Sequence, residues 1–222
     1  IIYNKDIETL KRVIAAAKQY KVTAIIASDI AAIQCAREQN VEVHISTQLN
    51  ISNIEAVRFY AHYADVVVLA RELTLVQVKE IYNAIQTQQI KGPSGNLIQL
   101  EMFVHGALCM SVSGKCYLSL HEQNYSANKG ACLQQCRKSY IVTEKETGAE
   151  LEIDNEYIMS PKDLCTIGFV DELLEAGVRV LKIEGRARSA EYVKTVTQAY
   201  SEAVNSVLEN TYTPQKIEEW KE

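Results

Sequence analysis

The feature that most constrains the fold is a repeated alternation of helix-patterned segments with short apolar runs rich in β-branched residues. The helix-patterned segments lie near residues 5–20, 30–39, 52–63 and 74–87. The apolar runs, each of strand length, are residues 23–29, 41–47, 65–70 and 97–104. Continuous apolar runs are typical of parallel strands, because such strands are covered on both faces. The pattern therefore predicts an α/β fold made of βα units.

The alternation is interrupted between residues 105 and 156, where four of the six cysteines lie and no helix–strand unit is evident. We interpret this stretch as an irregular cysteine-rich insertion. The alternation then resumes, and it predicts a strand at 157–160, a helix at 161–176, a strand at 178–184 and a helix at 189–208. The predicted organisation is therefore barrel units at 1–104, the insertion at 105–156, barrel units at 157–208 and a loosely attached acidic tail at 209–222.

The number of strands favours a barrel. If residues 1–4 are counted as the end of a strand, the chain has about seven strands in 222 residues, whereas a complete eight-stranded (β/α) barrel takes about 250 residues. We therefore predict an incomplete TIM-like (β/α) barrel. An open doubly wound sheet is the alternative, but no glycine-rich dinucleotide turn follows an early strand. Because the sequence begins at Ile1 without methionine, we expect it to be a piece of a longer protein.

The charge balance and hydropathy limit the possible partners. The chain has 23 Lys plus Arg and 28 Asp plus Glu, a formal net charge of −5. This balance argues against binding of nucleic acid by a general positive field, although a local basic patch can still bind it. No apolar run approaches the roughly 18 residues that span a bilayer. We therefore expect a cytoplasmic protein with no membrane partner.

The cysteines form an unevenly spaced group. Cys109, Cys116, Cys132 and Cys136 lie close together in sequence, and Cys165 follows later. Thiolates are soft ligands, and four of them can hold an iron–sulfur cluster or a zinc ion. Only the second pair has the short spacing usual for structural zinc, and glycines near the ligands favour a cluster held by loops. The alternative is that each cysteine is an ordinary buried residue.

Three stretches resemble one known family. They are EMFVHGALCMSVSGKCYLS at residues 101–119, NKGACLQQCR at 128–137 and KIEGRARS at 182–189. They resemble the collagenase-like peptidases of family U32, and the likeness covers most of the chain. Family members usually carry further βα units before this segment and a domain after it.

The resemblance implies more than the peptidase name. Members of this group look like bacterial RNA or quinone hydroxylases with an iron–sulfur cluster on four cysteines. The similar branch forms 5-hydroxyuridine at the tRNA wobble position without molecular oxygen, with prephenate as a required metabolite. Sister branches hydroxylate a cytidine of ribosomal RNA or the ubiquinone ring. The resemblance implies a [4Fe–4S] cluster on Cys109, Cys116, Cys132 and Cys136, with Cys165 a rival for the fourth place.

A peptidase is the alternative from another class. The sequence contains neither a Gly-x-Ser-x-Gly elbow nor a His-Glu-x-x-His motif, so the common serine and zinc mechanisms are not indicated. A thiol mechanism remains conceivable, with Cys109 as the nucleophile and His105 as the base.

Candidate site residues follow from the barrel prediction, because chemistry in such barrels lies at the C-terminal ends of the strands. We predict catalytic roles for His105, Lys182 and Glu184. Substrate-binding roles are predicted for Thr47, Gln48, Arg71, Arg186 and Arg188. Lys182 and Glu184 lie two residues apart on one predicted strand and are expected to face the same side, where they could instead form a structural ion pair. Lys182 and Arg186 are expected to bind an anion, either prephenate carboxylates or an RNA phosphate.

Overall fold

The computed structural model describes residues 1–153, 159–186 and 188–222. Its strands are β1 Ile25–Ala27, β2 Val43–Ile45, β3 Val66–Val68, β4 Gln99–Gly106, β5 Tyr140–Thr143, β6 Glu150–Ile153, β7 Leu164–Cys165 and β8 Val178–Ile183. Its α-helices are α1 Ile7–Gln19, α2 Ile30–Glu38, α3 Ile54–Tyr60, α4 Leu75–Gln88, α5 Leu118–Gln123, α6 Val170–Glu175, α7 Ala190–Leu208 and α8 Pro214–Lys221. By contact, residues 1–106 and 165–222 form one compact unit and residues 107–164 form another.

The larger unit is built on a parallel sheet in the order β1-β2-β3-β4, with β7 and β8 both joined to β4. The β1–β2, β2–β3, β3–β4 and β4–β8 pairs are all parallel. Parallel neighbours need a crossover connection, and the intervening helices α2, α3 and α4 supply it for the first four strands. The predicted α/β class and the parallel sheet with flanking helices are thus confirmed.

The two faces of the sheet differ. Alternate residues such as Val43, Ile45, Val67 and Leu100 belong to the main apolar core. Helical residues that complete this core include Ile14, Ile33, Val57, Val78, Ile85, Leu173 and Ala203. Because side chains alternate between faces along a strand, the residues between these core positions lie on the other face. We call it the open face as a label only: Ile26 on β1 is 57% exposed there, whereas Val66 and Val68 on β3 are buried.

Side-chain caps define where several of the helices begin. Asp29 caps α2 by accepting a hydrogen bond from Ala31 N, and Asn53 caps α3 through Ala56 N. Thr74 and Gln77 form a capping box at α4, and Ser189 caps α7. Caps satisfy backbone donors that have no partner within the helix. Each cap lies directly after or shortly after a strand, so it helps to fix how the chain turns from strand to helix.

Two predicted elements of the larger unit are wrong. Residues 1–4 do not form a strand; Ile2 N donates to Asp29 Oδ2 at 2.8 Å, and a short 3-10 helix covers Asn4–Asp6. The helix predicted at 161–176 begins only at Val170. Before it, Thr166 N donates hydrogen bonds to Val104 O at 3.1 Å and to Tyr200 Oη at 2.9 Å. These bonds hold the backbone beside β4, where it cannot also make helical hydrogen bonds. Of the strand predicted at 157–160, residues 157 and 158 lie outside the described residues, and residues 159 and 160 form a bend and not a strand.

The tail after α7 is more ordered than the sequence suggested. It carries α8, whose Trp220 ring stacks on Tyr212 with 6.0 Å between ring centroids. Tyr212 Oη in turn donates to Ile167 O at 2.6 Å. The aromatic pair therefore attaches the tail to the larger unit. Within the described residues, no helix has the length and apolar character needed to cross a bilayer.

The smaller unit, residues 107–164, contains α5, short 3-10 turns and an antiparallel hairpin of β5 and β6. The sequence did not predict the hairpin. Among its described residues, those that are buried are all polar: Ser113, Ser119, Gln135 and Ser160. The described part of this unit therefore has no apolar core of its own, and polar contacts must provide much of its order.

A glycine allows two chain segments to approach closely at the end of β4. Gly106 has φ +99°, and a Cβ added there would lie 2.6 Å from Glu184 O. Gly95 also has a positive φ, +84°, but a Cβ there would meet nothing within 4 Å. Substitution of either glycine by alanine strains the backbone, but only the substitution at Gly106 also creates a steric overlap. The difference between the two variants therefore measures the cost of that overlap.

We expect Gly95→Ala to lower the free energy of unfolding by about 1 kcal/mol through the unfavourable backbone conformation alone. Gly106→Ala should cost about 1–3 kcal/mol more, because the new methyl group overlaps the Glu184 carbonyl. Denaturant unfolding of both variants measures the difference. Equal losses would show that β4 and β8 do not approach as closely as described.

Candidate functional site

The C-terminal ends of the first strands are joined by side-chain hydrogen bonds. Ser28 Oγ after β1 donates to Gln48 Oε1 after β2 at 2.7 Å. Thr47 Oγ1 donates to Leu69 O after β3 at 3.5 Å. The predicted residues Thr47 and Gln48 therefore lie together at this edge, in a 3-10 turn capped by Ser46. Both side chains already have partners within the protein, and these contacts fix their orientation.

A cluster of charged side chains lies on three strands of the same sheet. Glu101 on β4 is only 3% exposed. Lys182 Nζ on β8 donates to Glu101 Oε1 at 2.7 Å, and His44 Nδ1 on β2 lies 3.7 Å from Glu101 Oε2. By the alternation of side chains, Glu101 lies on the open face, away from core residues Leu100 and Val104. We call these three residues the Glu101 cluster.

The cluster changes the proton affinity of two of its members. Burial raises the pKa of Glu101, but hydrogen bonds from His44 and Lys182 outweigh it and leave the pKa below its ordinary value. The facing Glu101 carboxylate raises the pKa of His44 against the effect of partial burial, and Glu42, 3.2 Å from His44 Nε2, adds to this. Perturbed titrating groups of this kind are common at functional sites, though structural ion pairs also produce them.

Lys182 does not form the ion pair with Glu184 that the sequence left open as an alternative. Lys182 pairs with Glu101 on the neighbouring strand, and its Nζ also lies 5.5 Å from the centroid of the Phe103 ring. Glu184 follows the end of β8 and accepts hydrogen bonds from the backbone N and the Nε of Arg186. An ammonium group gains more from a buried carboxylate across a strand pair than from one beyond the strand end. Lys182 is therefore already compensated by a protein charge.

The three predicted arginines lie in different environments. Arg186 has a 78% exposed side chain that reaches Glu184. The guanidinium of Arg188 lies 5.5 Å from the Tyr192 ring centroid at the start of α7. Arg71 follows the end of β3, and its Nε is buried. Arg186 and Arg188 are thus exposed, whereas Arg71 is partly buried.

His105 contacts α7. Its ring packs edge-on against Tyr200, with 5.5 Å between centroids, and tilted against Tyr192. Its Nδ1 lies 3.4 Å from Tyr200 Oη, which also donates to Val104 O at 2.7 Å. Burial raises the pKa of Tyr200 to about 12 against the lowering effect of bonds from Thr166. A shift in strand register between Phe103 and His105 interrupts the alternation of side chains between the two faces of the sheet. A β-bulge has this effect.

The four candidate ligand cysteines all lie in the smaller unit, and none of the six cysteines forms a disulfide. Burial raises the pKa of the Cys136 thiol, and the neighbouring Cys109, Cys132 and Cys116 raise it further. Cys109, Cys132 and Cys116 therefore lie near enough to Cys136 to affect its thiol. Yet within the described residues no three His, Cys, Asp or Glu side chains converge closely enough to hold a metal ion.

Cys35 and Cys165 differ from these four. Cys35 is buried on α2 within the apolar core, in agreement with its interpretation as an ordinary core residue. Cys165 is exposed and belongs to the larger unit, at the end of β7. Of the two, only Cys165 stays a candidate for an alternative ligand.

Glu101 and His44 were not among the site residues predicted from the sequence. Both lie within runs that predict strands, and a charged or titratable residue inside such a run was the available signal. The partner of Glu101 could not be identified from spacing, because Lys182 is 81 positions away. Only the β4–β8 pairing brings the two side chains together.

We expect Glu101→Gln to lower the pKa of His44 toward the ordinary histidine value of about 6.5, because the facing negative charge is lost. The free energy of unfolding should fall by about 1–3 kcal/mol, because Lys182 loses a charged partner. NMR titration of the His44 imidazole and denaturant unfolding measure these effects. Glu42→Gln is the matched control, with a smaller shift expected because the Glu42 side chain is 42% exposed.

The pH dependence of this loss has a defined sign. Stabilisation from the raised pKa of His44 is fully present below the ordinary histidine pKa and is lost as the pH rises through the folded-state value. Stabilisation from the lowered pKa of Glu101 is present above 4.5 and is lost as the pH falls through the folded-state value. The loss in Glu101→Gln should therefore be greatest at about pH 5–6. A His44 titration unaltered by the substitution would contradict the described cluster.

Comparison with known proteins gives the family context. The model of peptidase family U32 matches residues 1–222. A protein named collagenase from Porphyromonas gingivalis strain W83 is 57% identical over 222 residues, which cover 100% of this chain and 54% of that protein. No solved structure matches the chain.

More distant relatives carry names from RNA modification. The tRNA hydroxylation protein P1 of Bacillus subtilis is 35% identical over 211 residues, covering 92% of this chain and 47% of that protein. A 23S rRNA 5-hydroxycytidine synthase of Escherichia coli is 33% identical over 210 residues, which cover 94% of this chain and 30% of that protein. The chain thus spans about half the length of the collagenase-named protein and of the Bacillus subtilis protein, and a smaller share of the Escherichia coli protein. Because the family model matches it from end to end, the chain belongs to peptidase family U32.

Proposed function

We propose that the protein containing this chain is a tRNA-modifying enzyme that hydroxylates the wobble uridine to 5-hydroxyuridine without molecular oxygen. In this proposal a [4Fe–4S] cluster is the cofactor and prephenate a co-substrate. Relatives named for tRNA and rRNA hydroxylation support an RNA-modifying role. The uridine, the cluster and prephenate come from the resemblance of the sequence motifs to that branch.

The observation that carries the proposal is the composition of the smaller unit. Four cysteines lie in a unit of about 60 residues whose buried described residues are all polar. Small units without an adequate apolar core usually need a disulfide or a bound metal to remain folded. None of these thiols is used in a disulfide, and a metal centre on the four of them would hold the segments of the unit together.

The donor set suits an iron–sulfur cluster. Cys109, Cys116, Cys132 and Cys136 offer four soft thiolates, the usual ligands of a [4Fe–4S] centre. Their thiols interact electrostatically but do not converge in the described conformation. The proposal therefore requires the loops between residues 107 and 136 to adjust when a cluster binds. The bound cluster would supply redox or Lewis-acid chemistry.

The remaining roles belong to the larger unit. We propose that its sheet is part of a (β/α) barrel in the complete protein, with Thr47, Gln48 and Arg71 at the strand ends that face the substrate. Arg186, whose charge is accessible, would bind a carboxylate of prephenate or an RNA phosphate. The Glu101 cluster would keep Lys182 charged and oriented on the open face, and Glu184 would orient Arg186. Because His105 contacts Tyr200, we propose that it positions β4 against α7.

The cluster assignment is tested by anaerobic purification followed by iron, sulfide and visible-absorption measurements. We expect about four iron atoms per chain and a loss of most of them in Cys132→Ser and Cys136→Ser, because each removes a ligand. Cys35→Ser is the control, since Cys35 lies in the apolar core, and Cys165→Ser tests the rival ligand. Iron-free wild-type protein with an intact fold under strictly anoxic conditions would exclude the cluster.

The reaction is tested separately by mass analysis of tRNA. A strain that lacks the gene should lose 5-hydroxyuridine, and the gene should restore it. A gene carrying Arg186→Gln should restore less, because an accessible anion-binding charge is lost. Unchanged 5-hydroxyuridine in the deletion strain would rule out this role.

A peptidase is the second candidate, favoured by the collagenase name of a relative that is 57% identical. A thiol mechanism would use Cys109 as the nucleophile with His105 as the base, and His105 Nδ1 already has Tyr200 Oη within 3.4 Å. If this mechanism operates, peptide cleavage should disappear in Cys109→Ala. Cleavage that survives in the Cys109→Ala, Cys116→Ala double variant would exclude both thiols as nucleophiles.

A further inference from the structure

Arg137, the residue after Cys136, makes unusual contacts for a charged side chain in a polar unit. Its side chain is only 8% exposed. Nη1 donates to Asp163 Oδ1 at 2.7 Å, and Nη2 lies 3.5 Å from Leu108 O and 3.4 Å from Pro161 O. One guanidinium thus contacts two other segments of the smaller unit.

The position of Leu108 gives one of these contacts its importance. Leu108 O belongs to the peptide plane that also contains Cys109 N, because the peptide bond is planar. A bond to that oxygen restrains the backbone at the start of Cys109. Arg137 is itself attached to Cys136 through the next peptide bond. The guanidinium therefore connects the first candidate ligand of the site with the last.

The absence of an apolar core from the described part of this unit makes such a connection more consequential. Where burial of apolar surface does not fix the chain, a shielded and charge-assisted hydrogen bond contributes a larger share of the order. The residue before Cys136 is held in place as well, because Gln135 is buried and its carbonyl accepts a hydrogen bond from Tyr140 Oη. The segment around Cys136 is thus restrained on both sides.

We propose that Arg137 is a positioning residue that fastens the segments at Leu108 and at 161–163 to the segment carrying Cys136, before any cluster is bound. Its use for cluster assembly rests on the proposed function. The connection itself concerns the metal-free chain. Arginine suits this task because its planar fork presents several donors in fixed directions, whereas lysine presents a single flexible ammonium group.

Hydrogen exchange of the reduced, metal-free full chain tests the connection. In Arg137→Gln, exchange of the protected amides at 107–137 should become about ten- to a hundredfold faster, because bonds made by a charged donor are lost. Arg137→Lys should show most of this effect. Exchange in β1–β4 should not change, which shows that the larger unit remains folded. Arg58→Lys is the matched control, because Arg58 is an exposed arginine paired with Glu55 on α3.

The variant Asp163→Asn tests whether Arg137 slows hydrogen exchange through its bond to Asp163. If Arg137 acts partly through Asp163, this variant should show a smaller acceleration than Arg137→Gln, and the double variant should match Arg137→Gln. Unchanged exchange at 107–137 in Arg137→Gln and Arg137→Lys would overturn the proposal. So would fully additive effects of Arg137→Gln and Asp163→Asn.

Iron loading separates this inference from the proposed function. With equal amounts of ferrous and ferric iron and with sulfide added anaerobically, Arg137→Lys should take up iron several-fold more slowly than wild type and reach a similar final content. Equal loading rates would overturn the role in assembly. Wild-type protein that takes up no iron would overturn the cluster proposal, and the exchange measurement would still decide whether Arg137 fastens the unit.

Discussion

The parallel pairing of β4 with β8 is the interaction on which both the sheet and its charged cluster depend. It brings Leu100 opposite Val178 and Phe103 opposite Lys182, although the smaller unit separates the two strands in sequence. The pairing completes the sheet beyond β4 and places the Lys182 ammonium beside the Glu101 carboxylate. Two shifts of register within the pair adjust where side chains point, and one of them directs His105 toward α7. Without this pairing, Glu101 would be a buried charge with no strong partner, which is among the costliest defects in a protein interior.

Periodicity in the sequence predicted β1–β4 and β8 with the helices α1–α4 and α7, because burial against the sheet imposes the pattern. It did not predict β7 or α8. It could not predict contacts between distant positions. Their spacing of two residues left open an ion pair of Lys182 with Glu184, whereas the partner of Lys182 comes from a neighbouring strand. The alternation predicts a helix from residue 161, whereas α6 begins at Val170. The Thr166 amide donates to Val104 O and to Tyr200 Oη, and these bonds hold that backbone beside the sheet. Tertiary contacts decide whether a backbone segment of this kind forms helical hydrogen bonds or bonds to the neighbouring strand.

The smaller unit shows a different limit. Its cysteines were evident from the sequence, but the β5–β6 hairpin was not, because its strands are largely exposed and give little hydrophobic pattern. The buried polar residues also could not be predicted, since polar side chains usually lie at the surface. Here hydrogen bonds and an ion pair replace apolar packing, and single-residue patterns carry little information about either. The part of the chain with the clearest chemical motif is thus the part whose conformation is hardest to deduce.

The bond between Thr166 N and Val104 O also bears on how this family can diversify. It lies just outside the point where the chain leaves the sheet at Gly106 and the point where it returns at Cys165, so entry and exit are about as close as adjacent strands. Insertions whose ends are close together can lengthen, shorten or change composition without disturbing the host fold. Natural selection can therefore change the smaller unit between these two points while the sheet and its strand ends change independently.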